Sequence, residues 1–257
     1  MEAWLSLGEL ARSMRIELAE DSPMRLWRFR TRCLTAGETP VRQGDRLRNL
    51  YVVHSGFFRT FDNHGASERV TGFPMSGDTL GADAIGEGVH PSGSVALETA
   101  QVAIVPYARI EQMECKRGLP GSVLVNLLCR ENARKSELIS LLAYRNATAR
   151  VAAFLLYLGE RFERLGYSRY SYILPMRCAD IGNFLGLRAE TLSRAFASLN
   201  AAGFADIHLK SVDIRKPDLL RAFAEGDQPE CFAKQRGLRR ARVQPAISCP
   251  EPAWTPA

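Results

Sequence analysis

The sequence predicts an α+β protein: an N-terminal antiparallel β jelly roll, a long central helix and a C-terminal winged helix-turn-helix. Three patterns predict it. From Cys33 to Pro106, short alternating runs are separated by turn signals such as Gly44-Asp45 and Gly77-Asp78. Between Gly118 and Arg145, apolar residues recur at helical spacing. Residues 178–203 then read as two short helices about a glycine turn. At 257 residues and 46% hydrophobic content, the chain can bury a sizeable core divided between two domains.

Residues 1–32 read as an extension, with a short helix around Trp4, Leu7, Leu10 and Ala11. Residues 33–115 hold the strands: Asn49–Gly56 is a strand and turn, Phe57–Asp62 another strand, and Asn63–Ala66 a hairpin connection. That rhythm of short strands fits an antiparallel barrel or jelly roll. Residues 116–145 form the long helix. Val125, Leu128, Ile139 and Leu142 are its apolar positions, and Asn132 and Lys135 fall in register between them, as on a coiled-coil seam. A helix packed only on its own barrel is the alternative.

Residues 146–226 open with a second long helix, Asn146 to Gly166, capped by Asn146 and facing Val151, Phe154, Leu155, Leu158 and Phe162 inward. Phe204–Leu209 and Val212–Arg215, joined by Lys210-Ser211, read as a two-stranded wing. Pro217 suits the first turn of a closing helix. Residues 227–257, with scattered arginines and five prolines, have the composition of a disordered basic tail.

The segment 178–203 points most directly to chemistry. Ile181, Leu185, Leu192, Phe196 and Leu199 form an inner face. Gly182 has no side chain where the two helices must nearly touch, and Gly186 supplies the turn. Glu190, Ser193 and Arg194 share the outer face of the second helix, a geometry that enters a DNA major groove. Arginine can donate twice to guanine O6 and N7, glutamate accepts from the cytosine amino group, and serine meets a base edge or a phosphate. Glu190 and Arg194 also have the spacing of a surface ion pair, which would preorder both side chains. Thr191, Arg188, Arg177 and Lys210 complete the expected DNA-binding set, the last two as phosphate ligands.

In these stretches the chain resembles the CRP/FNR superfamily of bacterial transcription regulators, the FNR branch in particular. The resemblance runs from about Leu34 to Gly226. It is carried by Asp180–Leu187 with Glu190-Thr-Leu-Ser-Arg194, by Gly77–Gly86, by Ala96-Leu-Glu-Thr99 and by Asn146–Phe154. It implies a jelly roll of the cyclic-nucleotide-binding type, a homodimer joined through the long helix, and double-stranded DNA as partner. In that branch the residues matching Glu190, Ser193 and Arg194 read a TTGAT-like half-site, implying a TTGAT-N4-ATCAA-like palindrome. RNA polymerase is the further partner implied, touching barrel loops around Asp83–Gly88.

The chain also departs from the family. The oxygen-sensing members hold an iron–sulfur cluster through N-terminal cysteines and one barrel cysteine. Here no cysteine precedes Cys33, and Ala103 occupies the barrel position, so no cluster of that kind is expected. The positions that grip ribose and cyclic phosphate in cAMP-binding members hold Ala82 and Pro91. Without the only cation facing a buried phosphate, useful cAMP affinity is not expected. No cofactor is expected. Arg177 replaces a frequent threonine at the helix entry. Next to it, Cys178 is the candidate redox thiol, whose oxidation would put negative charge where phosphates dock; an inert thiol is the competing reading.

Composition agrees with a polyanion partner: the formal net charge is +6, with Arg25, Arg28, Arg30 and Arg32 crowding one segment and Arg236, Arg239, Arg240 and Arg242 another. Cysteines 33, 115, 129, 178, 231 and 249 form no C-x-x-C pair, which argues against zinc and disulfides. No apolar run spans a bilayer and no secretion signal opens the chain, so a cytoplasmic protein without membrane contact is expected. His54, His64, His90 and His208 each stand alone, as packing or surface residues do. Asp83, His90 and Ser92 lie near one another but lack a nucleophile elbow or metal pattern, so an enzyme is not expected.

Overall fold

The arginine-rich stretch Arg28–Leu34 is a strand (β2), which buries Phe29 in one core and Leu34 in another while Arg28, Arg30 and Arg32 are exposed. The computed structural model describes residues 4–16, 23–65, 67–110, 123–144 and 146–226. The extended run expected from Cys33 therefore starts five residues earlier, its pattern hidden by an outer face made of guanidiniums. Ahead of it, Trp4–Ser6 (β1) pairs with β2 in register Trp4↔Arg30, a strand the sequence reading did not contain. The expected short helix is present as Leu7–Met14 (α1), started by a capping box in which Glu9 N–H donates to Ser6 Oγ and Ser6 N–H to Glu9.

The remaining strands are Asn49–Ser55 (β3), Phe58–His64 (β4), Ser67–Gly72 (β5), Thr79–Leu80 (β6), Gly93–Ala96 (β7) and Ala100–Pro106 (β8). They form two antiparallel sheets, ordered β1-β2-β8-β3-β6 and β5-β4-β7. Strand β4 runs on through His64, so the connection expected over Asn63–Ala66 is shorter than read, turning at Gly65. Leu34, Val53, Leu80 and Val102 of the larger sheet meet Phe58 and Ala96 of the smaller in one core. Leu7, Leu10 and Met14 of α1 cover a second core with Phe29, Leu50, Val52 and Val105.

Two long helices follow, Val123–Leu142 (α2) and Ala147–Arg164 (α3). Asn146 caps α3 as expected, its Oδ1 accepting from Thr148 N–H at 2.9 Å. Val151, Phe154, Leu155 and Leu158 are fully buried. After α3 come Ser171–Ile173 (β9), Cys178–Leu185 (α4), Ala189–Ala201 (α5), Ala205–His208 (β10), Ser211–Ile214 (β11) and Pro217–Glu225 (α6). The wing is three-stranded rather than two-stranded: β9 pairs with β11 in register Tyr172↔Val212. Three residues are too few for alternation to reveal β9 in advance.

The barrel and the C-terminal helices share a core. Phe73 of the barrel lies 6.1 Å from Phe154 and 5.2 Å from Phe184, ring centre to ring centre. Beside it, Asp78 accepts from Arg134 of α2 at 2.8 Å and pairs with Arg161 of α3, which also donates to the Phe73 carbonyl at 3.0 Å. Burial opposes ionisation of Asp78, but the two guanidiniums outweigh it and hold its carboxyl below the ordinary value. Burial likewise works against the Arg134 charge, and Asp78 and Glu131 more than offset it. The expected tail at 227–257, with its arginine run, lies outside the described residues.

Candidate DNA-binding interface

The two motif helices fit together as their glycines require. A Cβ on Gly182 would sit 2.9 Å from the Leu187 carbonyl oxygen, closer than backbone tolerates. Gly186 adopts φ 65°, a left-handed cap that suits glycine. Ile181, Leu185, Leu192 and Leu199 are fully buried, while Phe196 is only half-buried at the margin of the same core.

This packing turns one side of α5 outward. Glu190, Ser193 and Arg194 are exposed, Arg188 is exposed at the helix entry, and Thr191 is half-buried. Among the described residues no ion pair joins Glu190 to Arg194, correcting the expected preordering pair. Both heads reach into solvent, where such a contact gains too little to fix two long side chains. Arg188 occupies the N-cap position without a side-chain bond to the helix start. The first-turn N–H groups of α5 therefore receive no bond from the N-cap side chain.

Flanking groups differ in their commitments. Arg177 is largely exposed, yet its Nε donates to Asp180 Oδ2 at 3.0 Å. Asp180 is buried and also receives Arg59 of β4 at 3.4 Å. Arg177 is therefore directed at Asp180 rather than at its neighbour Cys178, whose side chain is exposed. Lys210 sits at the wing tip beside Leu209, its Nζ 3.5 Å from the Pro175 carbonyl.

The sequence reading missed the residues that seat the motif. Asn183 Oδ1 accepts from Val70 N–H at 2.7 Å, and its Nδ2 donates to the Glu68 carbonyl at 2.9 Å, so one amide continues the ladder of β5. Arg150 of α3 donates to the carbonyls of Tyr144 and Leu185. Asn183 and Val70 are 113 residues apart, and no local pattern announces such a contact.

Helix α2 has two unlike faces. Leu127 and Leu141 are buried against the protein itself, whereas Val125, Leu128, Asn132, Lys135 and Ile139 are exposed and Leu142 is half-buried. Ile139 is 69% exposed, a large apolar surface to leave in water.

Next to α2, a cavity of about 250 Å³ lies within the barrel, lined by Thr60, Thr71, Ala82, Pro91 and Ser92. It is not devoid of cations, contrary to the sequence reading: Arg134, Lys135 and Arg161 line it from helices distant in sequence. Ser92 donates to Asp83. His90 is buried, and burial, set against the nearby Asp83 and Asp45, holds its imidazole below the ordinary value. Its Nδ1 makes no hydrogen bond among the described residues, so the three do not form a relay.

Known proteins share both halves. Residues 149–223 match the Crp-like helix-turn-helix domain and residues 31–114 the cyclic nucleotide-binding domain. The fumarate and nitrate reduction regulatory protein of Salmonella typhimurium is 35% identical over 196 residues, covering 76% of this chain and 78% of that protein. The protein of that name from Escherichia coli K12 is 34% identical over the same length. Among solved structures, FixK2 from Bradyrhizobium japonicum aligns with a TM-score of 0.67 at 23% identity, covering 74% of this chain and 94% of that one. That similarity speaks for the fold.

Proposed function

The chain belongs to the CRP/FNR family of DNA-binding transcription regulators, and from that premise we propose that it acts as a homodimer on a TTGAT-N4-ATCAA-like palindrome. It is a regulator and not an enzyme. Arg194 and Glu190 read the G·C pair of each half-site, and Ser193 meets a neighbouring thymine or a phosphate. Arg188, Thr191, Arg177 and Lys210 position the backbone. The observation that carries this reading is the outer face of α5, whose charged heads are exposed and have no intramolecular ion pair among the described residues.

The seam of α2 supplies the dimer contact. Val125, Leu128, Ile139 and Leu142 pack across the twofold axis, Asn132 sets register, and the two Lys135 ammonium groups approach one another. Like charges there oppose association, leaving it sensitive to salt, DNA or ligand. Two recognition helices then meet major grooves about 34 Å apart.

Regulation in this reading does not depend on cAMP, since Ala82 and Pro91 supply neither carboxylate nor guanidinium and Arg134 and Arg161 are paired with Asp78, nor on an iron–sulfur cluster, given Ala103. Cys178 is the oxidant-sensitive thiol: it is exposed at the start of α4, close to the face that meets DNA. The barrel loop around Asp83–Gly88, exposed over residues 86–88, is the surface offered to RNA polymerase. Among the described residues no helix is long and apolar enough to cross a membrane, and the working compartment in this reading is the cytoplasm. A second reading, DNA binding controlled by a small effector, draws on the barrel cavity beside α2.

Selection of bound DNA from a random pool tests the proposal. Enrichment of TTGAT inverted repeats is the expected result, with peroxide weakening binding of the wild type but not of Cys178→Ala. Enrichment of an unrelated motif defeats the site assignment, and equal peroxide sensitivity in Cys178→Ala defeats the thiol.

A further inference from the structure

A second cavity lies across the Asp78 cluster from Ala82 and Pro91, where the end of α1 meets α2 and α3. Its volume is about 310 Å³, at the small end for ligand sites. Five arginines line it: Arg15 from the end of α1, Arg130 and Arg134 from α2, and Arg161 and Arg164 from α3. Asp78, Glu131 and Glu137 are the carboxylates among the lining residues, so guanidiniums exceed them by two.

The ion pairs show which charges are spent. Asp78 serves Arg134 and Arg161 together, and Glu131 also turns to Arg134. Glu137 reaches Arg164 only at 4.0 Å. Arg15 and Arg130 have no carboxylate partner among the described residues. Arg130 Nη2 donates to the Arg15 carbonyl, which leaves most of its five N–H donors available. Bringing guanidiniums together without matching carboxylates is unfavourable unless an anion sits among them. Planar forks carrying several donors match the oxygens of phosphate.

We propose that this cavity binds a small, multiply charged phosphate compound, held chiefly by Arg15 and Arg130 with Arg164 at its edge. It adjoins the barrel site lined by Ala82 and Pro91 across the shared Glu131, Arg134 and Arg161, but Arg15, Arg130 and Arg164 line this cavity and not that one, and none of them belongs to the outer face of α5. Its walls come from α1, the barrel, α2 and α3, so occupancy would tie the N-terminal segment to the helices that carry the DNA-binding motif. Any effect of the ligand on DNA affinity must be matched by an equal effect of DNA on the ligand.

Isothermal titration of the full chain with inorganic pyrophosphate, at fixed ionic strength, tests this. Saturable binding is expected, weakened about a hundredfold in Arg15→Gln/Arg130→Gln, since each charge-assisted hydrogen bond lost is worth about a factor of ten. Arg194→Ala, at the DNA face, should bind pyrophosphate as the wild type does. Absence of saturable heat, equal affinity in the double variant, or loss in Arg194→Ala would each overturn the site. Equal binding of succinate would overturn the assignment to phosphate. Both substituted arginines are exposed, and matching unfolding curves will show that the fold is intact.

Discussion

The two helices of the motif send their polar side chains to opposite destinations. In α4, Asp180 is buried between Arg177 and Arg59, and Asn183 hydrogen-bonds to the backbone of β5. In α5, Glu190, Ser193 and Arg194 are exposed, and no ion pair within the described residues holds either charged head. Satisfied groups fix a position, whereas unsatisfied exposed groups are available to a partner. Similar residue types thus serve attachment in one helix and stay exposed to a partner in the next, and the turn at Gly186 divides the two.

The attachment side should show the largest changes in stability. Asp78→Asn leaves the buried Arg161 and the half-buried Arg134 without their shared anion and should cost about 3 kcal/mol in urea unfolding. The same clamp gives a pH signature. The Asp78 carboxyl lies below its ordinary value in the folded protein, so its contribution is complete above the unfolded value of about 4 and is lost as pH falls through the folded one. Stability should drop on acidification below about pH 4, less steeply in Asp78→Asn than in the wild type. Equal slopes would remove Asp78 from the account.

Next in size, Gly182→Ala should cost about 1–3 kcal/mol, because the new methyl meets a carbonyl oxygen that can yield only with its backbone. Both helices depend on that approach, so docking and DNA binding should weaken together. Asn183→Ala separates them. It removes two hydrogen bonds, worth about 0.5–1.5 kcal/mol each, and should speed hydrogen exchange at Val70 N–H while leaving base preference unchanged. A changed base preference would blur the division drawn above. Smallest is Lys210→Ala: affinity should fall similarly for all sequences, and the salt slope should decrease by about one.

Legibility in the sequence followed the range of the forces involved. The glycines at 182 and 186, the buried leucines and the outward polar trio follow from helical periodicity, and all stand where the pattern put them. The exposed stripe of α2 at Val125, Leu128, Asn132, Lys135 and Ile139 was legible for the same reason. Strand β2 was partly concealed because its solvent face is arginine, and β1 and β9 are too short to alternate visibly. The clamps at Asp78 and Asn183 join residues 83 and 113 positions apart, so their partners emerge only from the folded chain. The Glu190–Arg194 pair failed for the opposite reason: local spacing permits the contact, but water on an exposed face offers both charges an equal alternative.

Fluorescence anisotropy with TTGAT and TTAAT duplexes, for the wild type and Arg194→Ala, tests the division of roles most directly. The account predicts that the wild type prefers TTGAT by about 1–3 kcal/mol and that Arg194→Ala binds the two duplexes alike, with its unfolding midpoint unchanged. A wild type indifferent to the substitution, or a variant that keeps the full preference, would contradict it.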